Sequence, residues 1–553
     1  MRAPTSAPLL EVDNLSVDFG EGTKKALSGV SFQLRRDEIL GIVGETGAGK
    51  SVLARSLINL LPEGGRIVGG DVRLDGASVL EMDEADQRKI RGARVALIGT
   101  NAKSLLDPVE TVGAQIARVL QAHRPCSRKE AWKAAVDLLA QVGIVNPERR
   151  ASAYPHQLSG GMAQRIVIAM AMVANPDIVL ADDATLGLDA TIQVQVLDLL
   201  VKRCRELGAG VVLITHDLGI IAHYCDRVAI MRDGAIIELD EVGRFLAAPK
   251  QDYSLTLLDA AKVRPTPRVG GELEDTEKGR RLLDVSRLVK VFPIAGTKDV
   301  VRAIDDVSFS VRRGETLALV GESGSGKTTV GQCLVRLLES DSGGIVFDGV
   351  DVTAMPPKEF RPLRQRLQMV FQEPYEALNP RWPVRALIAE PLQLDPTMDR
   401  AARDKRVKEL LDLVHLPARV ADIYPHQLTA GEQKRVGIAR ALATGPDFVV
   451  FDEPTTALDI RVRAQIIDLV RDLQAEIGMS ALFITHDLNS VRSLAHNVAV
   501  MRYGKIVEYG ETENIFARPA EDYTKMLLAA ELPIEQGALQ RAREETRRLS
   551  GTA

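Results

Sequence analysis

Gly321-Glu322-Ser323-Gly324-Ser325-Gly326-Lys327-Thr328 fits G-x-x-x-x-G-K-[ST] in full, and the apolar run Thr316-Leu317-Ala318-Leu319-Val320 leads straight into it. Three glycines after a buried strand let the backbone curl until successive N–H groups converge on one point. A helix starting there adds the positive end of its dipole. Such a loop cradles phosphates: Lys327 can reach the outer ones, the Thr328 hydroxyl can hold Mg²⁺, and Thr329 adds a second hydroxyl. The motif occurs twice. Gly44-Glu45-Thr46-Gly47-Ala48-Gly49-Lys50-Ser51 repeats it, again behind a strand-like run, Ile39-Leu40-Gly41-Ile42-Val43. A single copy could be a glycine-rich turn without a ligand; two copies in strand context point to two phosphate-binding sites, with Ser51 and Thr328 as metal ligands.

Outward from these loops the whole chain repeats. Leu9-Leu10-Glu11-Val12 returns as Leu282-Leu283-Asp284-Val285, Leu158 pairs with Leu428, Asp182 with Asp452, and His216 with His486. Both halves end on a D-Y-[ST] tail, Asp252-Tyr253-Ser254 and Asp522-Tyr523-Thr524, followed by paired leucines. The order implies two domains, 1–262 and 282–553, joined by an exposed linker at 263–281 rich in Pro, Gly and charge. The stretch from Glu535 is strongly charged and reads as a solvated tail. Apolar strand-like runs alternate with helical patterns such as 128–142 and 400–414, which implies an α/β fold with a mainly parallel sheet.

The bulk numbers exclude several classes. The 553 residues are 45% hydrophobic and 26% charged, ordinary for a globular protein. A formal net charge of −5 and 4% aromatic residues argue against a nucleic-acid partner. Cys126, Cys204, Cys225 and Cys333 are scattered, which suggests neither disulfides nor a metal cluster and fits a reducing compartment. The first residues lack an apolar signal core, and the longest apolar run, 166–174, is too short to span a bilayer. The expectation is a cytoplasmic chain without direct membrane insertion.

Carboxylates supply the chemistry. Phe448-Val449-Val450-Phe451 reads as a buried strand that delivers Asp452 and Glu453 to the phosphate loop. Asp452 would complete the Mg²⁺ shell, as Asp182 would in the first half, and Glu453 would polarise the attacking water. Pro454-Thr455-Thr456-Ala457-Leu458-Asp459 and then Ile484-Thr485-His486-Asp487 follow. His486 alone would more often be a core or loop histidine; in this company it reads as a contact to the γ-phosphate or its water, with His216 as its counterpart.

With these residues in place the chain resembles the ATP-binding-cassette ATPases, twice over. Leu158-Ser159-Gly160-Gly161-Met162 looks like the family's LSGGQ signature, with Met162 in place of glutamine. The resemblance implies that two cassettes pair head-to-tail, each ATP lying between one phosphate loop and the other signature. It casts Gln372 as the loop residue linking Mg²⁺ and water to the transport subunit. It also casts Phe19 and Phe292 as adenine-stacking aromatics, a plain core aromatic being the alternative for both. Each cassette would carry a core sheet, an antiparallel β subdomain and a helical subdomain. Ala377-Leu378-Asn379-Pro380, Tyr424-Pro425-His426-Gln427 and the D-Y-[ST] tails look like the oligopeptide/dipeptide/nickel group of bacterial importers. The chain would then be a peripheral subunit on the cytoplasmic face of the inner membrane. Its partners would be two transmembrane permeases and an extracytoplasmic substrate-binding protein.

The departures from that pattern are unevenly spread. Thr100 stands where the second half has Gln372, and Asp183 where it has Glu453. The second signature reads Leu428-Thr429-Ala430-Gly431-Glu432. Head-to-tail pairing would gather these changes into one site, leaving Glu453, His486 and Gln372 with Ser159, Gly160 and Gly161 in the other. The expectation is one hydrolytic site and one degenerate site, the latter built from Lys50, Asp183 and His216 with Thr429 and Gly431. The rival reading, a soluble tandem-cassette ATPase acting on the ribosome or on DNA, would call for a long charged helical linker or inserted zinc or coiled-coil modules, and neither stands in this sequence. An exporter would normally carry fused membrane helices.

Overall fold

The computed structural model describes residues 7–20, 24–100, 102–262, 280–293, 300–456, 458–532 and 534. Nearly all of the expected linker, the charged stretch from Glu535 and Ala457 lie outside the described residues. The chain divides into two compact units, one built mainly on the residues up to Lys262 and the other on those that follow.

In the first unit, Lys24–Leu34, Leu10–Phe19, Gly65–Leu74 and Ala77–Ser78 form an antiparallel sheet in that order. Leu10, Val12, Leu15 and Val17 are all buried, although their spacing breaks the two-residue period of a strand. A register shift between Val12 and Leu15, with Asn14 at φ 50°, inserts the extra residue that keeps them on one face. The second unit repeats the device: Leu283, Val285 and Leu288 are buried, and Arg287 has φ 45°. Its antiparallel sheet runs Val300–Arg312, Arg281–Pro293, Ser342–Phe347, Val350–Asp351.

The core sheet of the first unit runs Ala235–Glu241, Arg227–Arg232, Ile39–Gly44, Gly210–Ile214, Ile178–Asp182, Val95–Ile98. Every neighbouring pair is parallel except the first. That of the second unit is Leu367–Val370, Phe448–Asp452, Ser480–Thr485, Thr316–Val320, Asn497–Arg502, Lys505–Glu511, antiparallel only at the last pair. Ile39–Gly44, Ile178–Asp182, Thr316–Val320 and Phe448–Asp452 are buried along their whole length, which is why they read as continuous apolar runs rather than alternating ones. Parallel pairing sends all the carboxyl ends to one edge, where open α/β sheets bind ligands. That edge receives the phosphate loop, the paired acids and the histidine of each unit.

Between the phosphate loop and the signature each unit carries helices. In the first, Val112–His123, Arg128–Gln141 and Gly160–Met172 bury Val112, Ile116, Leu139 and Ile166 in one core. Ser127 and Glu130 close a capping box at the second of these. In the second unit Val384–Ala389, Arg400–Leu413 and Ala430–Leu442 do the same around Val384, Leu410 and Val436. The fold is α/β: two copies of a mainly parallel sheet with an antiparallel β layer and a helical region.

Candidate active site

Each phosphate loop turns on a glycine just before its helix. Gly49 has φ 97° and Gly326 φ 106°, and a Cβ would lie 2.5 Å from the Ala26 carbonyl oxygen or 2.0 Å from that of Ala303. Only glycine fits. The helices Lys50–Ser56 and Lys327–Leu334 begin at the next residue. Lys50 Nζ donates to Gly44 O at 2.7 Å and Glu45 O at 2.8 Å; Lys327 Nζ donates to Gly321 O and Glu322 O, both at 2.8 Å. The two lysines are 6% and 5% exposed. Burial lowers the Lys50 pKa, and the carboxylates of Asp183 and Asp182 oppose that shift.

The first helical hydroxyl meets the acid at the strand end. Ser51 Oγ donates to Asp182 Oδ1 at 3.1 Å, and Thr328 Oγ1 to Asp452 Oδ1 at 3.0 Å. Burial pushes the Asp452 carboxyl up to about 6, against the Thr328 hydrogen bond and with the Glu453 charge adding to it; Asp182 moves the same way. Among the described residues no three His, Cys, Asp or Glu side chains cluster as a protein-only metal site. A hydroxyl–carboxylate pair at a phosphate loop fits Mg²⁺, which takes one or two protein oxygens and fills its shell from phosphates and water.

The next residue is where the cassettes part. Asp183 and Glu453 both adopt left-handed backbone, φ 47° and 44°. That conformation costs a non-glycine residue about 1–3 kcal/mol and is typical of functional sites. Their amides donate to Ile214 O at 3.0 Å and Ile484 O at 2.9 Å, so the backbones are held alike. The side chains are not. Glu453 Oε2 accepts from Gln372 Nε2 at 3.0 Å and Thr456 Oγ1 at 2.9 Å, and His486 Nδ1 lies 3.5 Å away. Burial raises the Glu453 pKa, but His486, Thr456 and the Lys327 charge outweigh it and bring the carboxyl down to about 2. Asp183 Oδ2 pairs with His216 Nε2 at 2.9 Å.

Thr456 carries a contact that reading the motifs in sequence missed. Its counterpart in the first cassette is Leu186, in Asp182-Asp183-Ala184-Thr185-Leu186, which has no hydroxyl to donate. Lining up the two acid motifs beyond the acids themselves exposes the difference. Thr100 follows the strand Val95–Ile98 as Gln372 follows Leu367–Val370, so the two occupy equivalent positions.

The signatures stand at helix starts. Ser159 Oγ accepts from the Met162 amide at 3.3 Å at the head of Gly160–Met172. Thr429 and Glu432 form a full capping box at the head of Ala430–Leu442, with the Glu432 carboxylate accepting from the Thr429 amide and hydroxyl at 2.9 Å each. A Cβ at Gly161 or Gly431 would meet Ile192 Cγ2 at 2.8 Å or Val462 Cγ1 at 2.6 Å, so these glycines let the signature helix close on the next one. Of the aromatics, Phe19 packs partly buried against the first β core, its ring 3.0 Å from the position of a Gly65 Cβ. Phe292 is 37% exposed, with the Lys290 ammonium 5.6 Å from its ring centroid.

Known proteins match this arrangement. The ABC transporter family matches residues 27–186 and 304–456. The chain is 42% identical over 545 residues to the peptidoglycan transport ATP-binding protein YejF of Agrobacterium fabrum, covering 97% of this chain and 98% of that one. It is 40% identical over 572 residues to the glutathione import ATP-binding protein GsiA of Escherichia coli O157:H7, covering 96% and 91%. A dimeric cassette, MJ0796, bound to ADP and Pi in a post-hydrolysis state, covers 42% of this chain at 27% identity with a TM-score of 0.39. With two phosphate loops, an acid hydrogen-bonded to the first helical hydroxyl of each, and family matches in both halves, the chain belongs to the ABC transporter family and is an ATPase with two cassettes on one polypeptide.

Proposed function

We propose that this chain is the energy-coupling subunit of a bacterial importer for peptides or peptide-like solutes, hydrolysing ATP at one strong site. The observation that carries the reading is the full-length match to peptidoglycan- and glutathione-transport subunits, joined to a Glu453 carboxylate held by Gln372, Thr456 and His486. The reaction is ATP + H₂O → ADP + phosphate. Thr328 and Asp452 would hold Mg²⁺, which would supply charge neutralisation at the phosphates; Ser51 and Asp182 would do the same in the first cassette. Lys327 and the loop amides bind the outer phosphates, Glu453 orients and polarises the attacking water, and His486 and Gln372 steady that carboxylate. Placing and polarising the water, rather than deep proton abstraction, suits a loose phosphoryl-transfer transition state.

The head-to-tail pairing that the family resemblance implies would place Ser159, Gly160 and Gly161 with the Lys327 loop, and Thr429 and Gly431 with the Lys50 loop. Phe19 and Phe292 stack on the adenines. With Asp183, Thr100 and Leu186 in the first cassette, the first-loop site turns over slowly or not at all. Among the described residues no helix is long and apolar enough to cross a membrane, so the subunit works through two permease partners at the inner face of the membrane, fed by an extracytoplasmic binding protein. Purifying the tagged chain from membranes tests this. Two co-purifying permeases, and solute uptake that stops with Lys327→Ala, are expected. Co-purification with ribosomes or DNA instead would favour the soluble tandem-cassette reading.

A further inference from the structure

The helix Ala430–Leu442 opens on the altered signature, and one buried side chain in its first turns reaches back to the catalytic loop. Lys434 is 5% exposed, and its Nζ donates to the backbone carbonyl of Gln372. A buried ammonium is costly unless paired, and the carboxylates of Glu373, Glu453 and Asp452 act on it electrostatically. The same position in the first cassette is Gln164, 3% exposed, whose Nε2 has no hydrogen-bond partner among the described residues. Glutamine is one atom shorter and uncharged. The lysine therefore occurs in the cassette that has Gln372 and Glu453, and is replaced where Thr100 and Asp183 stand.

We propose that Lys434 is a positioning residue for hydrolysis, locking the loop so that the Gln372 amide meets the Glu453 carboxylate. The contacts run in series: Lys434 Nζ to Gln372 O, then Gln372 Nε2 to Glu453 Oε2 at 3.0 Å. A flexible loop held only by its own backbone would let the amide wander. Misplacement of catalytic groups by about 1 Å costs roughly 10²-fold in rate. Because the lysine sits two turns or less from the start of the signature helix, any shift of that helix start passes directly to the residue that orients the water. This device rests on the reading of Glu453 as the water-polarising group.

The experiment uses the full-length chain with Lys434→Met, Lys434→Gln, Lys434→Arg and, in parallel, Glu453→Gln. Steady-state ATPase, nucleotide affinity, melting temperature and hydrogen exchange of residues 371–374 in nucleotide-free protein are measured. Met and Gln are expected to lower kcat about 10–100-fold with KM within about twofold, and to raise exchange in 371–374 alone. Arg, which keeps the charge and the reach, is expected to restore most of both. Wild-type kcat in Lys434→Met beside an inactive Glu453→Gln would overturn this inference alone. Exchange rising across the whole cassette, or a defect that arginine leaves unrepaired, would also overturn it, by showing a general loss of packing. An active Glu453→Gln would instead overturn the catalytic reading beneath it.

Discussion

Gln372 Nε2 donates to Glu453 Oε2 at 3.0 Å, across 81 residues of sequence. Thr456 and His486 approach the same oxygen. All three contacts therefore converge on one oxygen of the carboxylate. The first cassette has Thr100, Asp183 and Leu186 at the matching positions, and the carboxylate there is one methylene shorter.

Turnover should be asymmetric. Glu453→Gln is expected to cut steady-state phosphate release by at least about 10²-fold, since it keeps the reach but removes the charge and basicity that polarise the water. Asp183→Asn should change it less than about twofold, and Thr456→Leu should cost an intermediate amount. Equal losses from Glu453→Gln and Asp183→Asn would make both sites catalytic.

Binding should stay symmetric where turnover is not. Lys50 and Lys327 make the same loop contacts within 0.1 Å of one another. Titration of the Glu453→Gln chain should give two Mg·ATP bound per polypeptide, falling to one with Lys50→Ala added. A stoichiometry of one before that substitution would mean the first loop has lost its nucleotide.

Both cassettes contain a square of two arginines and two aspartates that motif reading did not reveal. In the first, Arg36 pairs with Asp75 at 3.4 Å and Asp177 at 3.3 Å, and Arg94 with Asp177 at 2.7 Å and with Asp75. In the second, Arg313 pairs with Asp348 at 2.8 Å and Asp447 at 3.3 Å, and Arg366 with Asp348 at 2.7 Å and with Asp447. Each square ties a turn of the antiparallel layer to the starts of core strands. Arg366→Met should cost about 1–2 kcal/mol, or about 2–4 °C in melting temperature per kcal/mol. The hydrogen bond from Arg366 holds the Asp348 carboxyl below its ordinary 3.8, though burial works the other way. A depressed carboxyl contributes its stability above the unfolded pKa and loses it as pH falls through the folded one. The difference between wild type and Arg366→Met should therefore shrink below about pH 4, as followed by denaturant titration at stepped pH. A difference that persists in acid would assign the effect to packing.

Membrane association should depend on partners. Fractionation of cells with and without the permeases is the measurement; the chain is expected in the membrane fraction only when they are present. Sedimentation with membranes in their absence would point to a direct lipid contact.

What the sequence determined by itself is what spacing along a chain can encode. The glycines of each phosphate loop dictate local dihedrals, the continuous apolar runs dictate strands buried on both faces, and the acids lie at the next position along the same backbone. The duplication, the α/β class, and the meeting of Lys50 and Asp182, and of Lys327, Asp452 and Glu453, at one end of each core sheet were legible for that reason. Parallel register decided the rest. It sets Leu367–Val370 beside Phe448–Asp452 and so brings Gln372 to Glu453. It also aligns Arg366 and Asp447 at the opposite ends of the same two strands, and it leaves Lys434 facing a loop 62 residues away. Phe19 and Phe292 lie at the ends of equivalent strands, yet one packs against the β core and the other is 37% exposed. Those outcomes depend on contacts between distant segments, which form only when the sheet has closed and one register has been chosen from several that the apolar pattern alone would permit.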